Sequence, residues 1–351
     1  MDFILNGHAS GDVASVLMAN NFNVNCLRPY IGKDGRTYIT VNGNGKLKAV
    51  PLTNATATLR KDEWKLLDDA VIKAAKPRLK LVGGLRAAGL VYTIPNGMGK
   101  TVLETESMSD IGDAIISMDG LREGKNDRPE FDLTNLPLPI IHKDFQHSAR
   151  QVSTSRNGGS PLDTSSAELA AMKVAEEAEK LAIGSLPSYT FGGGTIYGLT
   201  NMVGRLTKTI TAPTDSGWTP EVFVDEVLDM IQLSVNAYHY GPWMLYVGTG
   251  WSKYMGQDFK AASDITLRER ILKLEGIQDV QTLDHLTGFQ VCLVQMTSDV
   301  IREVVGMDIT TVQWPSKGGM QLNYKVMAIL VPQLRKDFNG KTGIVHGNVA
   351  G

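Results

Sequence analysis

Four stretches of this chain carry residue types that could do chemistry. Gly97-Met98-Gly99-Lys100-Thr101 has the Gly-Lys-Thr ending of a phosphate-binding loop. Such a loop needs a further Gly five positions upstream, so that successive N–H groups wrap the phosphate; that position is Ile94. No long helix is expected after Thr101, so the segment reads as a turn. Phe191-Gly192-Gly193-Gly194 would need a third Gly at 197 to make a dinucleotide fingerprint, and 197 is Tyr. It too reads as a turn. His142, Asp144 and His147 invite a metal, but they lie in an extended, Pro-preceded stretch. Alternate residues there face opposite sides, which sets His142 and Asp144 against His147. The other histidines, His8, His239, His285 and His346, are distant in sequence. Hydrogen bonding is the expected role. No G-x-S-x-G elbow accompanies the Ser, His and Asp residues, so a hydrolase triad has no support. The aromatic run Asn236-Ala237-Tyr238-His239-Tyr240-Gly241-Pro242-Trp243 is expected to pack or to meet another subunit rather than cage a ligand. No catalytic residue, cofactor-binding residue or metal ligand is expected, and the chain reads as a non-enzyme.

The bulk numbers agree. A length of 351 residues suffices for one large or two ordinary domains. A formal charge of −2 argues against a general nucleic-acid binder. Cys26 and Cys292 have no metal-ligand spacing and make no disulfide framework, which suggests a reducing compartment. The N-terminus lacks the pattern of a secretory signal, and no apolar run reaches a membrane-spanning length. Asn54-Ala55-Thr56 is then a chance glycosylation match.

The elements that must position these residues alternate between helix and strand. Residues 1–57 are rich in Gly, Asn and Thr, with a short strand expected over Thr37–Val41 between two Gly turns. An arm laid over neighbouring copies is the favoured reading, a disordered tail the alternative. Thr58 is the expected N-cap of a helix over Leu59–Lys76, whose stripe is Trp64, Leu67, Val71 and Ala74, closed by Pro77. From Pro95 to Pro139 there is little core-forming pattern, too long for a simple connector, so a protruding two-stranded loop is expected. The clearest element is a helix over 165–183. Ser165-Ser166-Ala167-Glu168 fits a capping box, and Ala167, Ala171, Val174, Ala178 and Leu181 line one face. Glu176 and Lys180 are spaced to pair across the opposite face, and Gly184 ends the helix. Beyond it come a helix begun by Thr219-Pro220-Glu221 with the stripe Val224, Leu228, Ile231 and Val235, and a strand over Trp243–Val247. A helix over Ile265–Leu274, a strand over Phe289–Gln295 and a short helix over Asp299–Val305 follow. Strands over Ile309–Trp314 and Met320–Pro332 flank a Lys317-Gly318-Gly319 turn.

Several strings, in order, carry a resemblance. They are Leu59-Arg60-Lys61-Asp62-Glu63-Trp64, then Leu136-Pro137-Leu138-Pro139-Ile140-Ile141-His142-Lys143-Asp144-Phe145, and Arg156 with Gly158-Gly159. Leu162-Asp163-Thr164, Ala182-Ile183-Gly184, Ile196-Tyr197-Gly198-Leu199-Thr200-Asn201 and Tyr240-Gly241-Pro242-Trp243-Met244-Leu245-Tyr246-Val247 complete the series. Over roughly residues 57–335 the chain resembles the encapsulin-like (linocin-type) lineage of tailed-phage major capsid proteins.

The resemblance implies an α+β chain with the Hong Kong 97-type capsid fold. It implies an N-terminal arm at 1–57, the first helix of a P domain at 58–85, an E-loop region at 86–140, and the P domain with its spine helix at 141–189. An A domain would occupy 190–305, and 306–351 would hold the P-domain return strands and the C-terminal tail. The implied function is a major capsid protein that self-assembles into the icosahedral head of a tailed bacteriophage around double-stranded DNA. The alternative is an encapsulin compartment holding an enzyme cargo. The N-terminal extension and long loop region favour the phage. Implied partners are other copies, in pentamers and hexamers, with scaffold, portal and cement proteins possible and DNA held by enclosure; no membrane is implied. The place would be the virion capsid, assembled in the host cytoplasm. Lys100 and Lys125 are crosslinking candidates by location only. An α/β enzyme built on 190–305 is the rival from another class.

Overall fold

The computed structural model describes residues 28–43, 46–52, 59–108, 131–158, 162–260 and 264–349, with single positions at 114, 116, 118 and 128. Thr58, Cys26, Lys125 and the sequon at Asn54 lie outside the described residues.

The described chain opens on a three-stranded antiparallel sheet of β1 (Tyr30–Ile31), β2 (Thr37–Gly43) and β3 (Lys46–Leu52). Helix α1 (Lys61–Ala75) follows. Its first turn is closed by Glu63, whose carboxylate accepts the Arg60 N–H at 2.8 Å. Trp64, Leu67, Val71 and Ala75 are buried, so Ala75 takes the innermost place expected for Ala74. Pro77 sits in a tight turn that redirects the chain into α2 (Lys80–Ala87) and β4 (Val91–Thr93). The expected protruding loop is a ribbon of β5 (Val102–Met108) and β6 (Phe131–Pro137), paired antiparallel from Val102↔Pro137 to Met108↔Phe131.

Strand β7 (Ile141–Ser148) and helix α3 (Ala149–Gly158) lead to α4 (Ser165–Ile183). The capping box expected at Ser165–Glu168 does not form; Thr164 is the N-cap and its side chain makes no capping bond to the backbone. Thr164 precedes the helix and donates its hydroxyl to Glu168 at 2.9 Å, while Asp163 accepts the Ser165 N–H at 3.0 Å. Asp163 thus turns the chain inward and makes Ser165 the first helical residue. The five small-face residues are all buried, joined by Ala170, Ala175 and Ala182. The outer ion pairs form at the shorter spacing: Lys173–Glu176 at 2.8 Å and Glu177–Lys180 at 2.7 Å, not Glu176 with Lys180. Gly184 ends the helix at φ 88°, where a side chain would be strained.

A hairpin of β8 (Tyr189–Phe191) and β9 (Gly194–Ile196) precedes β10 (Leu206–Ile210) and α5 (Pro220–Asn236). The buried side of α5 is Phe223, Val224, Val227, Met230 and Ser234, and Leu228 is exposed. The helix is rotated by about one position from the expected stripe because Phe223 seats against Trp251, ring centroids 4.0 Å apart. Next come β11 (Trp243–Gly248), the short helices α6 (Ser252–Met255) and α7 (Leu267–Leu272), β12 (Ile277–Leu283) and β13 (Val291–Gln295). The expected short helix at Asp299–Val305 is absent. Ile301 begins a long strand, β14 (Ile301–Ser316), which pairs with β15 (Gln321–Leu334). The apolar run Val300, Ile301, Val304 and Val305 fits both periods, and β-branched residues buried on two faces settle as strand. Strand β16 (Ile344–Val349) closes the described chain.

Two bodies result. In the first, α1 and α4 pack on a sheet ordered β4-β14-β15-β7, with Leu67, Val71, Ala171, Val174, Tyr324 and Val326 in its core. In the second the order is β10-β16-β13-β11-β12, a mixed sheet. Both β11 and β13 are buried along their whole length because the sheet is covered on both faces. Met244 and Tyr246 meet α2, whereas Trp243, Leu245 and Val247 meet α5 and α7. β16 lies inside this second sheet, so part of the 306–351 segment does not return to the first body.

Candidate assembly surfaces

The structure separates the residues that could do chemistry. Gly97–Gly99 is a single 3₁₀ turn. A Cβ on Gly97 would stand 2.2 Å from the Gly306 carbonyl oxygen, so the glycine serves close approach to β14, not a phosphate. Gly192 and Gly193, at φ 59° and 77°, make the β8–β9 turn. His142 Nδ1 lies 3.6 Å from Asp144 Oδ1 on an exposed face, while His147 is buried against the rings of Phe145 and Tyr324. Burial lowers the His147 pKa. Cys292 is buried among apolar side chains and its thiol is pushed up to about 12, which leaves no reactive thiolate. Among the described residues no three His, Cys, Asp or Glu side chains could hold a metal. Lys100 is exposed at the foot of the ribbon.

The unusual features are exposed apolar groups and one buried polar joint. At its base the ribbon is anchored by Leu103, Leu136 and Leu138, buried with Ile94, Ile196 and Val304. Asn135 Nδ2 donates to the Gly192 carbonyl at 3.0 Å and ties the hairpin to β6. Further out, Phe131 and Leu133 are 66 % and 63 % exposed, and Ile116 and Met118 are fully exposed. Among the described residues nothing apolar covers these side chains. A second patch lies where the loops before β10, β11 and β16 reach the same end of the sheet. Val203, Tyr238, Tyr240 and Phe338 are exposed there. Tyr238 sits at φ 63°, an uncommon backbone for an aromatic residue. Beneath it Trp243 Nε1 donates to Ser234 Oγ at 3.0 Å, and Ser234 donates to the His239 carbonyl at 3.0 Å.

Helix α2 joins the two bodies. The Glu179 carboxylate, on α4, accepts the N–H groups of Leu81 and Val82 at 2.6 and 3.3 Å. These are unpaired donors of the first turn of α2. Glu179 is only 2 % exposed, and this desolvation pushes its pKa up to about 7 despite those bonds. Tyr246, from the second sheet, is fully buried nearby, and burial with the Glu179 charge raises its pKa. Arg86 forks onto Glu303 at 2.8 and 3.1 Å and reaches Asp308 at 2.8 Å. The Glu303 bond raises the Arg86 pKa; burial raises that of Glu303. Lys80 Nζ meets the Thr282 carbonyl at 3.2 Å and Asp284 at 2.8 Å. Sequence reasoning did not find this joint. Its one signal was a Glu inside the Ala-lined stretch of α4.

A two-body α+β chain with a long small-faced helix and an extended ribbon defines the Hong Kong 97-type shell fold, and solved structures share it. The virus-like particle from Pyrococcus furiosus matches at TM-score 0.56 and 18% identity, covering 81% of this chain and 99% of that one. The capsid of Myoviridae phage XM1 matches at 0.55 and 11%, covering 75% and 90%. The capsid of the native GTA particle matches at 0.53 and 14%, covering 76% and 90%. The chain belongs to DUF6260, a family of unknown function, whose pattern matches residues 54–347. No curated protein sequence matches it. Among the described residues no helix is long and apolar enough to cross a membrane.

Proposed function

We propose that this chain is the major capsid protein of a tailed bacteriophage, a non-enzymatic subunit that self-assembles into an icosahedral head around double-stranded DNA. The observation that carries the reading is the shared fold, which spans 75% of this chain and 90% of a phage capsid subunit. The exposed apolar ribbon supports it, since Phe131 and Leu133 lack cover that a neighbouring copy would provide. In this reading the body around α4 is the P domain and α4 is the spine helix. The β5–β6 ribbon is the E-loop, and the stretch from β10 to β13 with β16 added forms the A domain, while β14, from Ile301 on, belongs to the P-domain sheet. Pentamers and hexamers of the chain would assemble in the host cytoplasm into the virion capsid. The likeness to the Pyrococcus particle, which covers 99% of that chain, keeps a cargo-holding compartment as the second reading. Negative-stain microscopy of the purified protein tests both. Closed shells holding genomic DNA support the capsid, and shells holding an enzyme support the compartment. Only small particles under all assembly conditions would falsify both.

A further inference from the structure

The N-terminal sheet and α1 enclose a groove of about 1400 Å³, and its charge is out of character with the chain. Residues 28–65 carry eight Lys and Arg against three Asp and Glu, in a protein whose totals are 35 and 37. The rest of the chain is therefore net acidic. Three acids line the groove; Asp34 and Asp68 are committed, and Asp62 is exposed. Asp68 takes both its bonds from Arg28, at 2.7 and 2.6 Å, and Asp34 accepts from the Tyr38 hydroxyl at 2.7 Å. Glu63, in the first turn of α1, is held by Arg156 at 2.7 and 2.6 Å. Lys33, Arg60, Lys61 and Lys65 are exposed and form no salt bridge among the described residues, although Arg60 stands near the Glu63 carboxylate that Arg156 holds. Lys61 and Lys65 stand one helical turn apart on α1, so the cations form a row.

The groove offers charge without a free apolar anchor. Trp64 is 5 % exposed beneath the Arg28 guanidinium, and Tyr30 stacks on Tyr38. A protein partner would bind best through an aromatic or aliphatic side chain in a pocket. A polyanion needs only the row of cations. We propose that this groove is a sequence-independent contact site for the sugar-phosphate backbone of double-stranded DNA. The proposal rests on the capsid reading for the presence of DNA, and it names the part of the surface that meets the enclosed duplex. The acidic remainder of the chain confines the contact to a few phosphates per subunit.

The test is binding of a labelled random-sequence duplex to full-length unassembled subunits across roughly 50 to 200 mM salt. Four phosphate contacts give a log–log slope near about −3.6 and a loss of about 100-fold over that range. The triple variant Lys33→Gln, Lys61→Gln, Lys65→Gln should flatten the slope by about 2.7. Lys33→Arg, Lys61→Arg, Lys65→Arg should restore it, which separates lost charge from lost folding. Lys336→Gln with Lys341→Gln, exposed lysines at the far body, should leave it unchanged. No binding by the wild type, an unchanged slope in the Gln triple variant, or equal displacement by polyglutamate would overturn the proposal. Microscopy of the same preparations reports shell formation independently, so the groove can fail while the capsid reading stands.

Discussion

Glu179→Gln isolates the joint between the two bodies. Gln keeps the shape and one acceptor oxygen for the Leu81 N–H, turns its NH2 toward the Val82 N–H, and cannot ionise. Burial raises the folded-state pKa of Glu179 from 4.5 to about 7. A raised carboxylate pKa means that the fold prefers the protonated form. Its contribution is complete below about pH 4.5 and is lost as pH rises through about 7. That displacement corresponds to about 3 kcal/mol of lost stability on the alkaline side. The stability of the wild type relative to the variant should therefore fall by up to about 3 kcal/mol between about pH 4.5 and about pH 8, on top of a pH-independent offset for the bond Gln cannot accept. The assay is urea denaturation of unassembled subunits at a series of pH values, reading the difference between the two proteins. Only the difference is informative. His346, whose pKa burial lowers to about 4, works the other way, adding stability above 6.5 that is lost as pH falls. It is present in both proteins and cancels. A Gln-minus-Glu difference that stays constant from acid to alkali would refute the reasoning, because Glu179 would then not titrate in the fold.

Three further outcomes follow from the packing. Phe131→Asp with Leu133→Asp should leave subunit stability within about 0.5 kcal/mol, as exposed positions do, yet abolish shells in sedimentation and microscopy. Gly194→Ala should cost about 1–3 kcal/mol in thermal denaturation, since its Cβ would stand 2.0 Å from the Asn135 carbonyl oxygen and drive the hairpin off the ribbon. Arg156→Ala should cost about 1–3 kcal/mol at neutral pH by stripping a half-buried Glu63 of its bidentate partner. The Arg156 bond holds the Glu63 pKa below the usual range although burial opposes it. The loss should therefore shrink as pH falls through that pKa.

The sequence was most legible where one period ran long. The small face of α4 and its Gly184 terminus were visible because an Ala-rich helical repeat admits no other structure. β11 was readable as a buried strand from an unbroken apolar run. Where both faces of a segment are buried, periodicity stops deciding, and Asp299–Val305 reads as a helix although its residues from Ile301 on open β14. α5 was placed correctly but rotated, since which apolar residue points inward depends on Trp251, more than a dozen positions away. The joint was invisible for a related reason. Nothing local pairs Glu179 with Leu81 or Arg86 with Glu303, and only the assembled fold supplies those partners. The exposed patches were partly legible, as a long segment with little core pattern and as an aromatic run ahead of Trp243.

The position of β16 has a consequence for how a subunit comes into being. It lies between β10 and β13, so two of the four neighbour pairings in that sheet wait for residues 344–349. A nascent chain that has emerged as far as β15 still carries two open strand edges, and it cannot close the sheet over α5. Any chain broken off before residue 344 keeps those edges exposed. Translation past that strand thus acts as a length check. Only a subunit read through to it has a finished second body to present to its neighbours.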